Sequence, residues 1–455
     1  MKIFLCFLAL VLPLIAKPNI IYIITDDMGY ADLSCYGQTN FTTPHIDKLA
    51  ANGIRFTRHY SGATVCNPSR CSLMTGKDTG HAAVRGNGPF AIPEEEVTVG
   101  DIAKKAGYNT AMIGKSCVTG NTQTPEDVLR SGFDFFYGTT NHVDGHFRYP
   151  KFVYENLKKI KFSDNKLHTG SHYDANLYTE QALKYIGSQK EETPFMMILS
   201  YPIPHASVVA PEKELQEVRP LVKNEVGLKK SGHYTATPEV KANYIGMLKI
   251  LDDAVGAIVR QLREQDLLED TIIMFTSDNG PAYEGGYKPE LLDSNGPLRG
   301  GKRDLYEGGI RVPFIVSWPA VIEGNQTSDH PSAFWDFLPT VCDLMKQAKP
   351  KGIQGISFAA TLTGKGDQAK HPYLYWEFLE RGIRRAIQVG DWKLVQYNLA
   401  SPNKTKTQLF NLAEDLSEEN DLSATNPEKT EELLKLISKV RVPNKDFPVP
   451  SLDKP

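Results

Sequence analysis

The chain has 455 residues, of which 23% are charged and 41% hydrophobic, and a formal net charge of −3. No basic stripe stands out, so the sequence argues against nucleic acid as the main partner. The length is sufficient for one large domain and a second, smaller one.

The first 16 residues, MKIFLCFLALVLPLIA, combine one lysine with an apolar run. This run is too short to span a bilayer comfortably and is typical of a secretory signal cleaved near Ala16. Cys6 lies inside the run and not in a small-residue context after it, which disfavours a lipoprotein anchor. We therefore predict a secreted or periplasmic protein without a transmembrane anchor.

Buried-strand patterns alternate with helical patterns over most of the chain. This alternation predicts an α/β fold with a large mixed, mainly parallel sheet flanked by helices. The predicted strands are 19–25, 109–113, 194–199 and 271–275, and the predicted helices are 44–51, 98–106, 175–186 and 238–264.

The segment TVCNPSRCSLMTG, residues 64–76, places a cysteine before a turn and a predicted helix. Pro68 suits a turn or a first helical position, and residues 72–74 form the apolar start of the helix. Cys66 is expected at or just before the helix N-terminus, where N–H groups favour negative charge, with Arg70 nearby as a positive charge. Five cysteines remain after the signal and cannot all pair, so at least one is free, metal-bound or modified; Cys66 is the candidate.

Polar residues follow four of the predicted strands. Ligands bind outside the carboxyl ends of the strands in open α/β sheets, so we expect these residues to form one site. They are Asp26 and Asp27, Lys115, His205, and Asp278 and Asn279.

The acidic and amide members of this set offer only oxygen atoms as ligands: Asp26, Asp27, Asp278 and Asn279. Such a mixture favours a hard cation, and Ca²⁺ over Zn²⁺. Adjacent carboxylates also repel each other unless a cation lies between them. The alternative is that each pair only caps a turn.

A change of pattern near His371 predicts a small C-terminal unit. Short strand candidates at 372–376, 384–388, 392–396 and 408–410 precede a helix at 428–440. We predict a signal peptide (1–16), a catalytic α/β domain (17–350) and a C-terminal subdomain (351–455) in which one helix packs on an antiparallel sheet.

Several motifs occur in the order typical of one enzyme family. CNPSR at 66–70 matches a Cys-x-Pro-x-Arg signature, and ITDDMGYADLSCYG (24–37), SDNGP (277–281) and GGKRDLYEGGIRVP (300–313) accompany it. On these motifs the chain resembles the type I sulfatases of the alkaline phosphatase superfamily. The resemblance extends to residue 425, through segments similar to the family's small C-terminal domain. It implies an alkaline-phosphatase-like fold and a Ca²⁺-dependent sulfate ester hydrolase.

The resemblance also implies a role for individual residues. A formylglycine-generating enzyme would oxidise Cys66 to formylglycine, whose hydrate is the nucleophile and a further ligand of the cation. Arg70 would hold the formylglycine hydroxyl. Lys115 and Lys302 would neutralise the sulfate oxygens. His205 would protonate the leaving alcohol as a general acid.

One segment departs from the family pattern. Many relatives have Gly-Lys-Trp-His after the third strand, where the histidine contacts the formylglycine and helps to eliminate sulfate. This chain has Gly-Lys-Ser-Cys, with Cys117 in the place of the imidazole. The base for that step is therefore unassigned, with a water molecule or His81 as alternatives.

The stretch NHVDGHFRYPKFVYENLKKI (141–160) resembles one seen in a branch of carbohydrate sulfatases. The resemblance implies an exo-acting enzyme for a galactose or N-acetylgalactosamine 4-sulfate. Six residues are expected to bind the sugar: His81, Arg85, His142, Asp144, His146 and Arg148.

Two other functions are compatible with the sequence. One is a phosphonate or phosphate-ester hydrolase of the same superfamily that uses the same nucleophile. The other is a pseudoenzyme that binds sulfated glycans, if Cys66 is never oxidised and the missing histidine is essential.

Overall fold

The computed structural model describes residues 17–122, 124–190 and 192–453, so the predicted signal peptide lies outside the described residues. Among the described residues, no helix is both long and apolar enough to cross a membrane. The domain boundary predicted at residue 350 stays a prediction.

The strands of the described residues begin and end as follows. They are β1 (Asn19–Asp26), β2 (Ile54–Tyr60), β3 (Asn109–Lys115), β4 (Phe135–Thr139), β5 (Phe152–Glu155), β6 (Lys158–Lys161), β7 (Phe195–Pro204), β8 (Thr271–Ser277), β9 (Arg311–Ser317), β10 (Gln326–Ser328), β11 (Ser332–Ala333), β12 (Leu374–Phe378), β13 (Arg384–Val389), β14 (Trp392–Tyr397) and β15 (Lys406–Asn411).

The helices of the same residues are α1 (Pro44–Ala51), α2 (Cys66–Thr75), α3 (Val99–Lys105), α4 (Pro125–Arg130), α5 (Asp174–Gly187), α6 (Glu212–Val218), α7 (Val240–Glu264), α8 (Glu307–Ile310), α9 (Phe337–Leu344), α10 (Ala359–Thr363) and α11 (Pro427–Ile437).

An 11-stranded sheet forms the centre of the molecule, in the order β10-β2-β9-β8-β1-β7-β3-β4-β5-β6, with β11 pairing with β2. Strands β8, β1, β7, β3 and β4 run parallel, whereas β9 is antiparallel to both β8 and β2. The predicted fold class, a mixed and mainly parallel sheet with helices, is therefore confirmed.

The central strands are buried on both faces. In β1, Ile21 and Ile23 pack into one core cluster, with residues of α7, while Tyr22 and Ile24 pack into a second cluster, with residues of α9. A strand covered on both faces needs apolar residues at every position, which explains the continuous run NIIYIIT. Each central strand then continues into polar residues at its carboxyl end.

Helix α2 begins at Cys66, which confirms the prediction that this cysteine lies at or just before a helix N-terminus. Every residue of α2 is buried, so the polar residues of its first two turns, including Arg70, face the protein interior. A buried polar segment has no apolar periodicity, so the apolar pattern at residues 72–74 indicates only the end of the helix.

The C-terminal region contains a four-stranded antiparallel sheet, β12-β13-β14-β15. On one face Leu433 and Ile437 of α11 pack against Tyr375, Ile387 and other residues of the sheet. On the other face, Trp376 packs in one apolar cluster with residues of β2, including Tyr60. The predicted small antiparallel sheet with one helix is thus present and lies against the large one.

Candidate active site

The carboxyl ends of four parallel strands meet at one edge of the large sheet. Asp26 ends β1 and pairs in register with Pro204 at the end of β7, which places His205 beside the acidic pair. On the other side of β1, Thr25 pairs with Ser277, so Asp278 follows directly. Asp27 has a φ of +65°, a left-handed conformation that is rare outside glycine and turns its side chain into this edge.

The acidic residues form a compact buried cluster. The amide nitrogen of Asn279 donates to Asp27 Oδ1 at 2.7 Å, and the backbone N–H of Asp27 donates to Asp278 Oδ1 at 3.2 Å. Ligand atoms of Asp26, Asp278 and Cys66 lie within 4.8 Å of one another. Asp26 Oδ1 and Asn279 Oδ1 are buried and accept no hydrogen bond from the described residues. Oxygen atoms that are buried without a donor fit a hard cation that binds oxygen.

Cys66 is the first residue of α2 and is 4% exposed. Burial raises the pKa of its thiol, although Lys115 and Lys302 act in the opposite direction. An unmodified thiol at this position is therefore mostly protonated at neutral pH and a weak nucleophile.

Arg70 lies one turn after Cys66 on the same face of α2. Its Nε donates to Asp278 Oδ2 at 2.9 Å, and its Nη2 lies 2.8 Å from the same oxygen. Neither side chain is exposed. The guanidinium thus connects helix α2, which begins at Cys66, to the acidic cluster.

Three further positive or titratable groups surround the cluster. Lys115 pairs with Asp26, and Lys302 donates to Asp27 at 2.8 Å. His205 Nε2 lies 3.3 Å from Asp27 Oδ2. Burial acts to raise the pKa of Asp26, but the surrounding positive groups, of which Lys115 acts most strongly, together outweigh burial and hold the pKa well below its usual value. Positively charged side chains therefore surround the cluster of buried carboxylates.

Cys117 lies where the sequence comparison expected a histidine, and its Sγ is 3.5 Å from Arg70 Nη1. Another imidazole is close by. His142 is 4% exposed, and its Nε2 contacts the carbonyl oxygen of Ser116 at 3.1 Å. Burial and the positive charges of Lys115 and Arg70 lower the pKa of His142, so its ring is neutral.

Two of the predicted sugar-binding residues, Arg85 and His81, form contacts with other residues of the protein. Arg85 donates to the carbonyl oxygen of Ala82 at 2.9 Å and pairs with Glu377 at 3.2 Å, both buried. The expectation that Arg85 faces the leaving group does not fit this arrangement, because its guanidinium is held by the C-terminal sheet. His81 bonds to Asp78 at 2.7 Å beside the same sheet.

The residues of the loop 141–148 lie partly beside the site and partly in the protein interior. His146 stacks on His205, with ring centroids 4.2 Å apart. Arg148 is fully buried, donates to the carbonyl oxygen of Pro202 at 2.6 Å and pairs with Asp174 at 3.5 Å, so it fastens the loop and does not contact solvent. Asp144 is partly exposed, and burial raises its pKa.

Several residues at the site were missed by the sequence analysis. Asn87 Oδ1 accepts from the backbone N–H of Asn67 at 3.3 Å and lies 4.0 Å from Cys66 Sγ. His233 and Tyr234 contact the ring of His146 from a distant segment. The sequence of that segment, Gly-His-Tyr at residues 232–234, carries no motif that would have assigned it to the site.

A cavity of about 350 Å³ opens beside Lys302. Its lining combines an exposed aromatic ring with charged groups of both signs, and it is formed by Tyr283, Glu284, Lys302, Arg303, Glu380 and Arg381. A larger cavity of about 590 Å³ lies between α1 and α7, but no residue of the acidic cluster lines it. We therefore take the smaller cavity as the mouth of the site.

Known proteins are similar to this chain over most of its length. The family model described as Sulfatase matches residues 18–347, and the one described as N-sulphoglucosamine sulphohydrolase, C-terminal, matches residues 300–442. The chain is 30% identical over 504 residues to the N-acetylgalactosamine-6-O-sulfatase of Bacteroides thetaiotaomicron, with 93% of each chain covered. It is 30% identical to human steryl-sulfatase, over 79% of this chain and 72% of that one. A solved structure from work on the metabolism of multiple glycosaminoglycans by B. thetaiotaomicron has a TM-score of 0.75 and 28% identity, and the match covers 93% of this chain and 99% of that one.

Proposed function

Because the chain belongs to the sulfatase family, it is a sulfuric ester hydrolase, and we propose that it removes O-sulfate from a galactose-type sugar. The observation that carries the proposal is the buried cluster around Cys66. Two lysines and an arginine face one point beside that residue, and a histidine lies at the same edge. A sulfate group matches this concentration of fixed positive charge.

We propose Ca²⁺ as the metal ion, since sulfatases generally use a metal ion and the four predicted ligands Asp26, Asp27, Asp278 and Asn279 offer only oxygen atoms. The residues that would hold it are Asp26, Asp27, Asp278, Asn279 and the modified residue 66. When bound, the cation would supply positive charge that lowers the pKa of the nucleophile's hydroxyl and aligns a sulfate oxygen.

We propose that Cys66 is converted to formylglycine by a formylglycine-generating enzyme. The raised pKa of its thiol supports this, because an unmodified buried thiol is poorly nucleophilic. The hydrated aldehyde supplies two hydroxyls, of which one attacks sulfur and the other lets sulfate leave as the aldehyde re-forms. Arg70 would orient these hydroxyls, and Lys115 and Lys302 would bind the sulfate oxygens.

His205 would donate the proton that the leaving alcohol requires. Burial and Lys302 lower its pKa in the free site. The negative charge of a bound sulfate acts in the opposite direction and favours the protonated ring.

His142 would accept the proton in the sulfate-release step, in place of the histidine absent at Cys117. Its Nε2 is engaged with the Ser116 carbonyl, and Nδ1 has no hydrogen-bond partner among the described residues. A neutral imidazole with one free nitrogen is a suitable proton acceptor. The burial of Cys117 and its raised pKa make the thiol a poor alternative.

The sugar is proposed on two grounds. The 141–160 stretch suggests a 4-sulfate, whereas the B. thetaiotaomicron relative is named for N-acetylgalactosamine 6-O-sulfate. Both observations favour galactose or N-acetylgalactosamine as the sugar. We also propose that the enzyme acts at the end of a sugar chain. Export by the predicted signal peptide would bring the enzyme to polysaccharide outside the cytoplasm.

The first test is made on protein co-expressed with a formylglycine-generating enzyme. Mass spectrometry of tryptic peptide 59–70 should show that Cys66 has exchanged H₂S for O. The protein should then release sulfate from 4- or 6-sulfated galactose or N-acetylgalactosamine, and C66A should not.

The same experiment separates the alternatives. Faster hydrolysis of a matched aryl phosphonate than of an aryl sulfate would identify a phosphonate ester hydrolase. Binding of the sulfated sugars without turnover, after confirmed conversion of Cys66, would favour a glycan-binding pseudoenzyme.

A further inference from the structure

Three imidazole rings stack beside the acidic cluster. The ring of His146 lies between those of His205 and His233, at centroid distances of 4.2 and 5.2 Å and interplanar angles of 16° and 8°. His146 Nδ1 and His233 Nε2 form a hydrogen bond of 2.9 Å. The stack therefore joins the buried His205 to an exposed residue, His233.

His233 and its neighbour Tyr234 come from one hairpin, residues 228–237. Leu228 and Thr237 exchange backbone hydrogen bonds of 2.6 and 3.0 Å, and Ser231 pairs with Tyr234 across the turn. Gly232 in this turn has a φ of +59°, a conformation that glycine adopts without strain. The hairpin is thus an ordered element with two aromatic side chains at its tip.

The hairpin is fastened to the segment that carries His205. The hydroxyl of Thr237 donates to the carbonyl oxygen of Val208 at 2.9 Å, and the backbone N–H of Thr235 donates to Ser207 Oγ at 3.3 Å. The hairpin tip and His205 are consequently held in one fixed relationship.

Tyr234 faces the reacting groups. Its ring centroid lies 6.1 Å from that of His205, and Gly285 packs closely against its Cβ. Burial raises the pKa of Tyr234 to about 12, while Lys302, Asp27 and Cys66 lie near enough to act on it. The hydroxyl makes no hydrogen bond with the described residues and is available to a ligand.

We propose that His233 and Tyr234, at the tip of the 228–237 hairpin, determine the specificity for the sugar that leaves when its bond to sulfate is broken. This inference rests on the proposed function. If His205 protonates the leaving oxygen, the attached ring must lie within a few bonds of His205 and hence beside Tyr234 and His233. A pyranose offers a C–H face for stacking on the phenol ring, and its hydroxyls can pair with the polar edges of Tyr234 and His233.

The test compares a sugar with a substrate that lacks one. The ratio of kcat/KM for a sulfated galactose-type oligosaccharide to that for 4-methylumbelliferyl sulfate is measured in wild type, Y234A and H233A. We expect the ratio to fall about 10-fold or more in Y234A, as for the loss of a specific pocket contact. Lys230→Ala, in the same hairpin but exposed, is the matched control and should keep the wild-type ratio.

A binding measurement separates this proposal from the function on which it rests. In the C66A background, which does not turn over, calorimetry should show weaker binding of the sulfated sugar when Tyr234→Ala is added. An unchanged Kd, or equal losses of kcat/KM on both substrates, would overturn the role of the hairpin. Absence of wild-type turnover with a Tyr234-dependent Kd would contradict hydrolysis and retain the hairpin as a sugar-binding wall.

Discussion

Arg70 and Asp278 form an ion pair that no solvent reaches, with Nη2 2.8 Å from Oδ2 and both side chains 0% exposed. They are 208 positions apart in the chain. The pair connects the first turns of α2 to the end of β8, so it sets the position of Cys66 relative to the acidic cluster. Its removal should therefore affect stability and chemistry together.

Replacing Asp278 with alanine should lower the free energy of unfolding by about 3–5 kcal/mol, because it removes the carboxylate closest to the buried Arg70 charge and leaves only Asp26, 3.7 Å away, to balance it. Urea unfolding in the presence of a chelator would measure this change. The double variant R70A/D278A should lose less than the sum of the single losses. Strict additivity would show that the pair does not interact energetically.

Removing divalent cations should abolish hydrolysis and lower the melting temperature. The buried carboxylates repel one another without a cation, and burial raises the pKa of Asp278 to about 7. Ca²⁺ at 100 times its Kd should stabilise the protein by about 2.7 kcal/mol. Differential scanning fluorimetry with Ca²⁺, Mg²⁺ and Zn²⁺ tests the choice of metal, with Asp278→Asn as a variant that should respond weakly. A larger response to Zn²⁺ would contradict the assignment.

Replacing His205 with alanine should reduce hydrolysis of sugar sulfates by about 10²–10⁴-fold. An aryl sulfate should lose much less, since a phenolate leaves without prior protonation. Steady-state rates on both substrates give the comparison. Equal losses would exclude His205 as the general acid.

Replacing His142 with alanine should slow the release of sulfate more than the release of alcohol. Under single-turnover conditions, alcohol should appear at close to the wild-type rate, followed by slow sulfate release. Added imidazole should restore part of the lost rate. The variant S116A keeps the backbone carbonyl that contacts His142 and serves as the control; simultaneous slowing of both products in H142A would contradict the role.

His371 should make the stability of the fold depend on pH. Its Nε2 lies 2.8 Å from Asp336 Oδ1, and its side chain is 5% exposed. Burial acts to lower the pKa of His371, but the charge and the hydrogen bond of Asp336, together with the charge of Asp78, outweigh burial and raise the pKa above the ordinary value. The stabilisation is therefore fully present well below about pH 6.5 and is lost as the pH rises through the higher folded-state pKa. The destabilisation of H371Q should be larger at pH 5.5 than at pH 9, by chemical unfolding; the same difference at both values would contradict this sign.

The sequence alone determined four central strands of the large sheet, β1, β3, β7 and β8, and the polar residues that follow them. Adjacent parallel strands bring their carboxyl ends to one edge, so residues after β1 and β8 had to lie near each other. The class of cation could also be predicted from the sequence. Side chains that offer only oxygen atoms favour hard cations wherever they come together.

Only the tertiary structure decided which side chains are partners and which are exposed. Lys115 pairs with Asp26 and Lys302 with Asp27 across long stretches of chain, and no local pattern encodes either pairing. Arg85 and Arg148 were predicted to bind the sugar, yet both are buried and contact other parts of the protein. His233 and Tyr234 carry no periodic signal, and they reach the site because the hairpin is fastened beside His205. Burial and long-range pairing depend on how the elements pack, which is the physical reason that these features could not be predicted from the sequence.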